Sequence, residues 1–229
     1  RVYNSAFMHH LRDEENGRFR AALASALDIG PEVVARQVNF LTTPDERTAA
    51  EQFGDGDRYF GACALMAAMP GTPLLGHGQL EGLAERYGME FRRAAADELP
   101  DEELERRHLQ TIAPLLRRRQ RFAGCDGFAL LEAELELGRP DDVVAFVNHV
   151  SSDPLIACFH NREARARGRI VRTFGTRSHP SALLAGLLRL APGEVRRFRD
   201  ALTGREMAVT TRGLELDHGP HEIVVLEAV

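Results

Sequence analysis

Hydrophobic positions follow different periods in the two halves of the chain. Over residues 10–27, Leu11, Phe19, Leu23 and Leu27 fall at spacings of eight and four, which predicts an amphipathic helix. Before it, 2–8 reads as a strand, and 37–41 is a second short apolar run ending in Thr42-Thr43-Pro44-Asp45. Residues 59–69 are dense in alanine and leucine without alternation, as in a buried helix, and Pro70-Gly71 closes it. Leu74-Leu75 makes a third strand end. A long helix is expected over 101–122, with Leu104, Ile112, Leu115 and Leu116 on its apolar side and a kink at Pro114. Strands alternating with helices of this size argue for βα units around a parallel sheet, open or closed.

After Gly124 the pattern changes. Runs of strand length at 128–135, 143–150, 154–159, 169–174, 194–199, 206–210 and 222–226 are separated by Gly, Pro, Asp and Ser, with one short helix expected at 181–190. This half reads as an antiparallel β-sandwich of about seven strands. The domain division is therefore 1–124 and 125–229, with the boundary near 124–127.

Composition narrows the function classes. With 229 residues, 44% hydrophobic and 28% charged, the chain has room for one large or two smaller domains. A net charge of −5 argues against nucleic acid as a partner. The basic run Arg117-Arg118-Arg119 with Arg121 follows Leu115-Leu116 and reads as a solvated helix end. Three widely spaced cysteines, Cys63, Cys125 and Cys158, fit reduced, buried thiols in a cytoplasmic protein. No apolar stretch has the length of a membrane helix, so no membrane partner is expected, and no signal peptide is visible. The chain opens on Arg1-Val2-Tyr3 without an initiator methionine, as a piece of something longer would.

In α/β sheets and barrels, ligands sit at the carboxyl ends of the strands. The polar residues just after the strand-like runs are then the candidates. Asp45 is either the cap of a helix starting at Glu46 or a charge aimed into a cleft. His77, between Gly76 and Gly78, is either a ligand contact or a histidine in a tight turn. Gln79 and Glu81 are candidates for sugar hydroxyls or acid–base work, or solvated loop residues. Gly76-x-Gly78-x-x-x-Gly82 misses a dinucleotide fingerprint by one position, which leaves nucleotide binding a remote reading. No HExxH, CxxC, GxSxG or GxxxxGK[ST] occurs, and His9-His10 lacks metal spacing. No metal or cofactor is assigned.

Two stretches carry a resemblance. QVNFLTTPDERTAAEQFGDGDRYFGACALMAAMPGTPLLGHGQLEG, residues 37–82, resembles the end of the catalytic barrel in α-amylase-family glycoside hydrolases. In that family the seventh strand ends in Asn-His-Asp, and the eighth carries Pro-Gly-x-Pro-x-x-x-x-Gly-Gln-Glu. Pro70-Gly71-Thr72-Pro73 and Gly78-Gln79 match the second element in order, and Glu81 stands one residue late. YGMEFRRAAADELPDEELERRHLQTIAPLLRRRQRFA, residues 87–123, is similar to the family's closing helix.

The resemblance implies a partial (β/α)8 TIM barrel, strands six to eight, followed by the family's antiparallel C-terminal domain. It places the transition-state-stabilising aspartate at Asp45, and His77, Gln79, Glu81 and Thr43 near the sugar. Pro44 stands where the family has histidine, and Thr43 where it has asparagine. The nucleophile and the acid/base lie on strands four and five, which would precede Arg1. The implied partners are thus an α-glucan or oligosaccharide and the N-terminal half of the barrel, and the chain alone is expected to be inactive. Pro44 also supports the alternative of a non-catalytic glucan-binding or assembly domain.

Overall fold

Asn4 decides where the first strand stops. Strand β1 (Val2–Tyr3) gives way at once to helix α1 (Ser5–Arg12), because the Asn4 carboxamide accepts from the Phe7 N–H at 3.3 Å. Its amide donates to Asn39 Oδ1 at 2.8 Å and to Gln37 Oε1 at 3.1 Å, so the helix start is tied to the neighbouring strand. The expected strand over 2–8 is therefore mostly helix. The computed structural model in which this is seen describes residues 1–86, 92–150 and 152–229.

The helix expected over 10–27 is likewise two, α1 and α2 (Asn16–Ile29), broken where Glu14 takes φ 53°. A distant residue fills the break: Asn161 Nδ2 donates to Leu11 O at 2.9 Å and to Asn16 Oδ1 at 2.8 Å. Helix α3 (Pro31–Ala35) comes next with proline in its first turn, then β2 (Gln37–Phe40), α4 (Ala49–Phe53), α5 (Asp57–Ala68) and β3 (Thr72–Leu74). The three strands pair in parallel, Val2 against Gln37 and Val38 against Thr72, in the order β1-β2-β3. All three carboxyl ends thus open on one rim. Helix α6 (Glu102–Arg117) is capped by Asp101, whose Oδ1 accepts from Glu103 N and Leu104 N at 3.0 Å each. Pro114 lies inside it and does not end it. Of the stretch 87–123 likened to a closing helix, 87–91 lie outside the described residues.

The second half corrects the β-sandwich. Strands β4 (Ala129–Leu137), β5 (Val143–Asn148), β6 (Leu155–His160) and β7 (Ala166–Thr173), the short helix α7 (Leu184–Leu187), and strands β8 (Arg196–Asp200), β9 (Glu206–Thr210), β10 (Gly213–His218) and β11 (Ile223–Ala228) form a closed barrel. Its order is β10-β7-β4-β5-β6-β11-β8-β9, eight strands in all. The unexpected strand is β10. It pairs with β7 from Leu214 to His218 and with β9 at Gly213–Thr210 and Leu214–Val209, and that short ladder turns an open sheet into a ring. Irregular register between β4 and β7 at Glu132/Ala133 and Leu135/Leu137 gives the local bend that closure needs.

Strands β5 and β6 are buried on both faces. Val143, Ala145, Val147, Ile156 and Cys158 fill the barrel, whereas Val144, Phe146, Ala157 and Phe159 belong to the core shared with the helices. Gly61 makes this contact possible: a Cβ there would stand 2.3 Å from the Phe159 ring. Covering a phenylalanine in this way is worth about 2–3 kcal/mol. The basic run after α6 is not a solvated end. Arg118 pairs with Glu227 and Arg121 with Asp153 across the junction, while Arg119 donates to the carbonyls of Ala67, Met69 and Gly71.

Candidate functional site

The rim is built from the loops that leave the parallel strands at their carboxyl ends. After β2 the chain makes a turn closed by Glu46 N donating to Thr43 O at 3.0 Å, with Asp45 exposed near its tip. The turn is held from below. Thr42 Oγ1 donates to Arg47 O at 2.8 Å, and the buried Gln52 donates to Arg47 O at 2.8 Å and to Leu41 O at 3.1 Å. The helix-cap reading of Asp45 does not hold: α4 begins at Ala49, and Thr48 is its cap, accepting from Glu51 N at 3.2 Å. Asp45 instead offers its backbone carbonyl to Arg86 at 2.8 Å.

After β3 the chain folds into a double turn. Gly78 at φ 70° lets Leu83 N reach Gly78 O at 2.9 Å, a conformation that costs other residues a steric clash. Gly76 lies against Thr42, where a Cβ would come within 2.3 Å of the threonine methyl. The two strand-end loops are therefore packed on each other. Thr43, Pro44, Glu46, His77 and Arg86 line one small cleft of about 30 Å³ between them, and His77 is exposed at its edge. His9 on α1 approaches Glu46 to 3.7 Å. Two backbone bonds, from Ala95 N and Ala96 N, hold the Glu85 carboxyl below its usual range.

Thr43 and His77 thus line one cleft, and Asp45 is exposed on the loop that carries Thr43, outside the cleft lining. Gln79 is elsewhere. It is 4% exposed, with Oε1 accepting from Gly76 N at 3.0 Å and Nε2 donating to Cys63 Sγ at 3.6 Å, so its amide shapes the turn from beneath. Glu81 is half-buried and its charge is felt by Tyr59 and His108 below. Tyr59, Gln52, Thr48, Arg86 and His108 support or line the rim without having been expected there from the sequence. Two of these had a signal. Thr48-Ala-Ala-Glu51 has the form of a capping box, and His108 stands four residues from both Leu104 and Ile112 on the apolar face of α6.

Cys63 supports the rim through Gln79, but none of the thiols is a nucleophile there. All three are free, and burial pushes Cys63 up to about 12 and Cys125 up to about 11, far from the thiolate form a nucleophile needs. Among the described residues, no group of three or more His, Cys, Asp or Glu is placed to hold a metal ion, and no helix is long and apolar enough to cross a membrane.

A larger cavity of about 610 Å³ opens between α5, α6 and the β-barrel. Its acids are engaged within the protein: Asp57 pairs with Arg107, Asp200 accepts from Val225 N and Thr203 Oγ1, and Glu222 accepts from Gly219 N. It is a seam between the two halves, and the strand-end rim remains the better candidate.

No protein-family model matches the sequence, and neither does any curated protein. Solved structures do. A noncanonic maltogenic alpha-amylase from Thermotoga neapolitana matches 100% of this chain and 50% of its own, at 11% identity and a TM-score of 0.70. An Anoxybacillus alpha-amylase matches 97% of this chain and 46% of its own, at 12% identity and TM-score 0.64. A cyclomaltodextrin glucanotransferase with a three-domain ABC distribution matches 96% and 43%, at 16% identity and TM-score 0.62. The chain spans about half the length of these structures and has the fold of that half of α-amylase-family glycoside hydrolases.

Proposed function

We propose that this chain is the C-terminal half of an α-glucan-active glycoside hydrolase or transglycosidase. Residues 1–124 contribute strands six to eight of a (β/α)8 barrel, and residues 125–229 form its C-terminal β-domain. The observation that carries the reading is the match of the whole chain, parallel strands and β-barrel together, to half of an amylase. It is supported by the placement of Thr43, Asp45 and His77 at the carboxyl ends of adjacent parallel strands, where barrel enzymes do their chemistry.

Cleavage of a glycosidic bond passes through an oxocarbenium-like state that carries positive charge on the sugar ring. A carboxylate at Asp45, fixed by the Thr43–Glu46 turn, stabilises that charge more than the neutral ground state. His77 and Thr43 supply hydrogen bonds to hydroxyls, Glu81 adds negative potential behind them, and Gln79 acts through the turn it holds. In a retaining mechanism the nucleophile and the proton donor stand about 5–5.5 Å apart, and both come from the barrel strands that precede this segment.

The test is to incubate the intact protein with an α-1,4-glucan and follow new reducing ends and transfer products. The reading requires one or the other. A second reading, glucan binding without catalysis, rests on Pro44, which has no N–H and no polar side chain at a position next to Asp45. Saturable maltooligosaccharide binding with no turnover would favour it.

A further inference from the structure

Beneath the β3 turn lies a buried row of polar groups that the proposed chemistry does not touch. Tyr59 on α5 is 1% exposed and His108 on α6 is 3% exposed. The Tyr59 hydroxyl is 3.0 Å from the carbonyl oxygen of Gln79 and 2.8 Å from His108 Nε2. A phenol has one proton, and a carbonyl oxygen can only accept. The Cys63 thiol, a weaker hydrogen-bonding group, also meets the hydroxyl. With its proton given to Gln79, the Tyr59 oxygen is left to accept from His108. That fixes the imidazole as the Nε2–H tautomer.

The other ring nitrogen, Nδ1, is buried with no partner among the described residues. Protonating it would place a charge in a site shut off from water, where the Tyr59 and Phe60 rings lie with centroids 5.4 Å and 5.0 Å from that of His108. Burial accordingly holds His108 down to about 4; Glu81 from the β3 loop opposes the shift and Arg107 on its own helix adds to it. The tautomer is thus locked across the neutral range.

Gln79 is gripped at both ends. Its carbonyl takes the Tyr59 proton, and its amide holds Gly76 N and meets Cys63 Sγ. Gly76 and Gly78 flank His77, so whatever fixes Gln79 fixes the backbone on either side of His77. We infer that Tyr59 and His108 are positioning residues for the β3 turn: a one-way donor row, His108 to Tyr59 to Gln79, sets where His77 stands at the rim. The functional weight of this rests on the rim being the sugar-facing site; the hydrogen-bond row does not.

Two measurements test it, neither using sugar, so a failure of the glucan reading leaves them unaffected. The first is the ¹⁵N spectrum of the histidines in the wild-type chain. His108 should show the Nε2–H tautomer unchanged from pH 8 to pH 5.5; an Nδ1–H tautomer, or an imidazolium at pH 6, overturns the inference. The second is hydrogen exchange at the amides of Gly76, Gln79 and Leu83. Tyr59→Phe should speed exchange there about fivefold, as expected for one buried hydrogen bond, while amides of β5 and β6 keep their rates. His108→Gln, which keeps a side-chain N–H donor, should restore slow exchange where His108→Leu does not. Unchanged exchange at the turn in Tyr59→Phe, or equal acceleration in β5 and β6, would show a merely structural role.

Discussion

Arg119 joins three pieces of chain that position the site, and its replacement by methionine has a calculable cost. The side chain leaves the turn after α6 and donates to Ala67 O at 3.2 Å and to Met69 O and Gly71 O at 2.6 Å each. These carbonyls belong to the end of α5 and the entry to β3, where helix C-termini leave acceptors without partners. Burial pushes the guanidinium down to about 10, still charged at pH 7. A hydrogen bond from a charged donor contributes about 1.5–3 kcal/mol net of desolvation. The three here share one guanidinium, whose Nε has no partner among the described residues, so they do not add in full. Arg119→Met is therefore predicted to cost about 2–4 kcal/mol. Arg119→Lys, a point charge without the planar fork, should recover about half of that. In urea unfolding followed by circular dichroism, an m-value of about 2–3 kcal/mol/M turns this into a midpoint lower by about 1 M. A methionine variant within about 0.5 kcal/mol of the wild type would refute the clamp.

Acid should weaken the fold in a defined window. Burial holds His108, His218 and His221 below their usual 6.5, so the native state excludes protons that the unfolded chain takes up. Stability is therefore full above about pH 6.5 and falls as the pH drops toward 4, with His108 alone responsible for at most about 3 kcal/mol. Urea midpoints at pH 7.5 and pH 5 check this; a higher midpoint at pH 5 would contradict it. Gly61→Ala should place a methyl group 2.3 Å from the buried Phe159 ring and 3.0 Å from His221 O. The overpacking costs about 2 kcal/mol and lowers the melting temperature by roughly 5 °C; an unchanged melt would mean the helix–barrel seam is looser than described.

Local pattern carried β2, β3, the buried α5 and most of the β-rich half, because their apolar positions either alternate or run unbroken along the chain. It failed where one distant residue decides. The break between α1 and α2 depends on Asn161, 145 residues from Asn16. Ring closure depends on two residue pairs between β9 and β10, and an alternating strand looks the same in a sandwich and in a barrel. The continuous burial of Val143–Asn148 comes from helices on one side and barrel contents on the other. At the rim, strand-end logic pointed to the loops that carry Asp45 and His77, and the family resemblance added Thr43; what these side chains do there is the proposal made above. Gln79 reads from the sequence as a sugar contact or a solvated loop residue, because nothing in its neighbours announces Tyr59 and Cys63 beneath it.

The most direct test of the central claim is the kcat of Asp45→Asn in the intact protein with an α-1,4-glucan substrate. The exchange removes one charge, changes the shape little and leaves the backbone carbonyl that meets Arg86. A carboxylate that stabilises the oxocarbenium-like state predicts a fall in kcat of at least about 10²-fold, with maltooligosaccharide binding reduced far less. Turnover at the wild-type rate would contradict it.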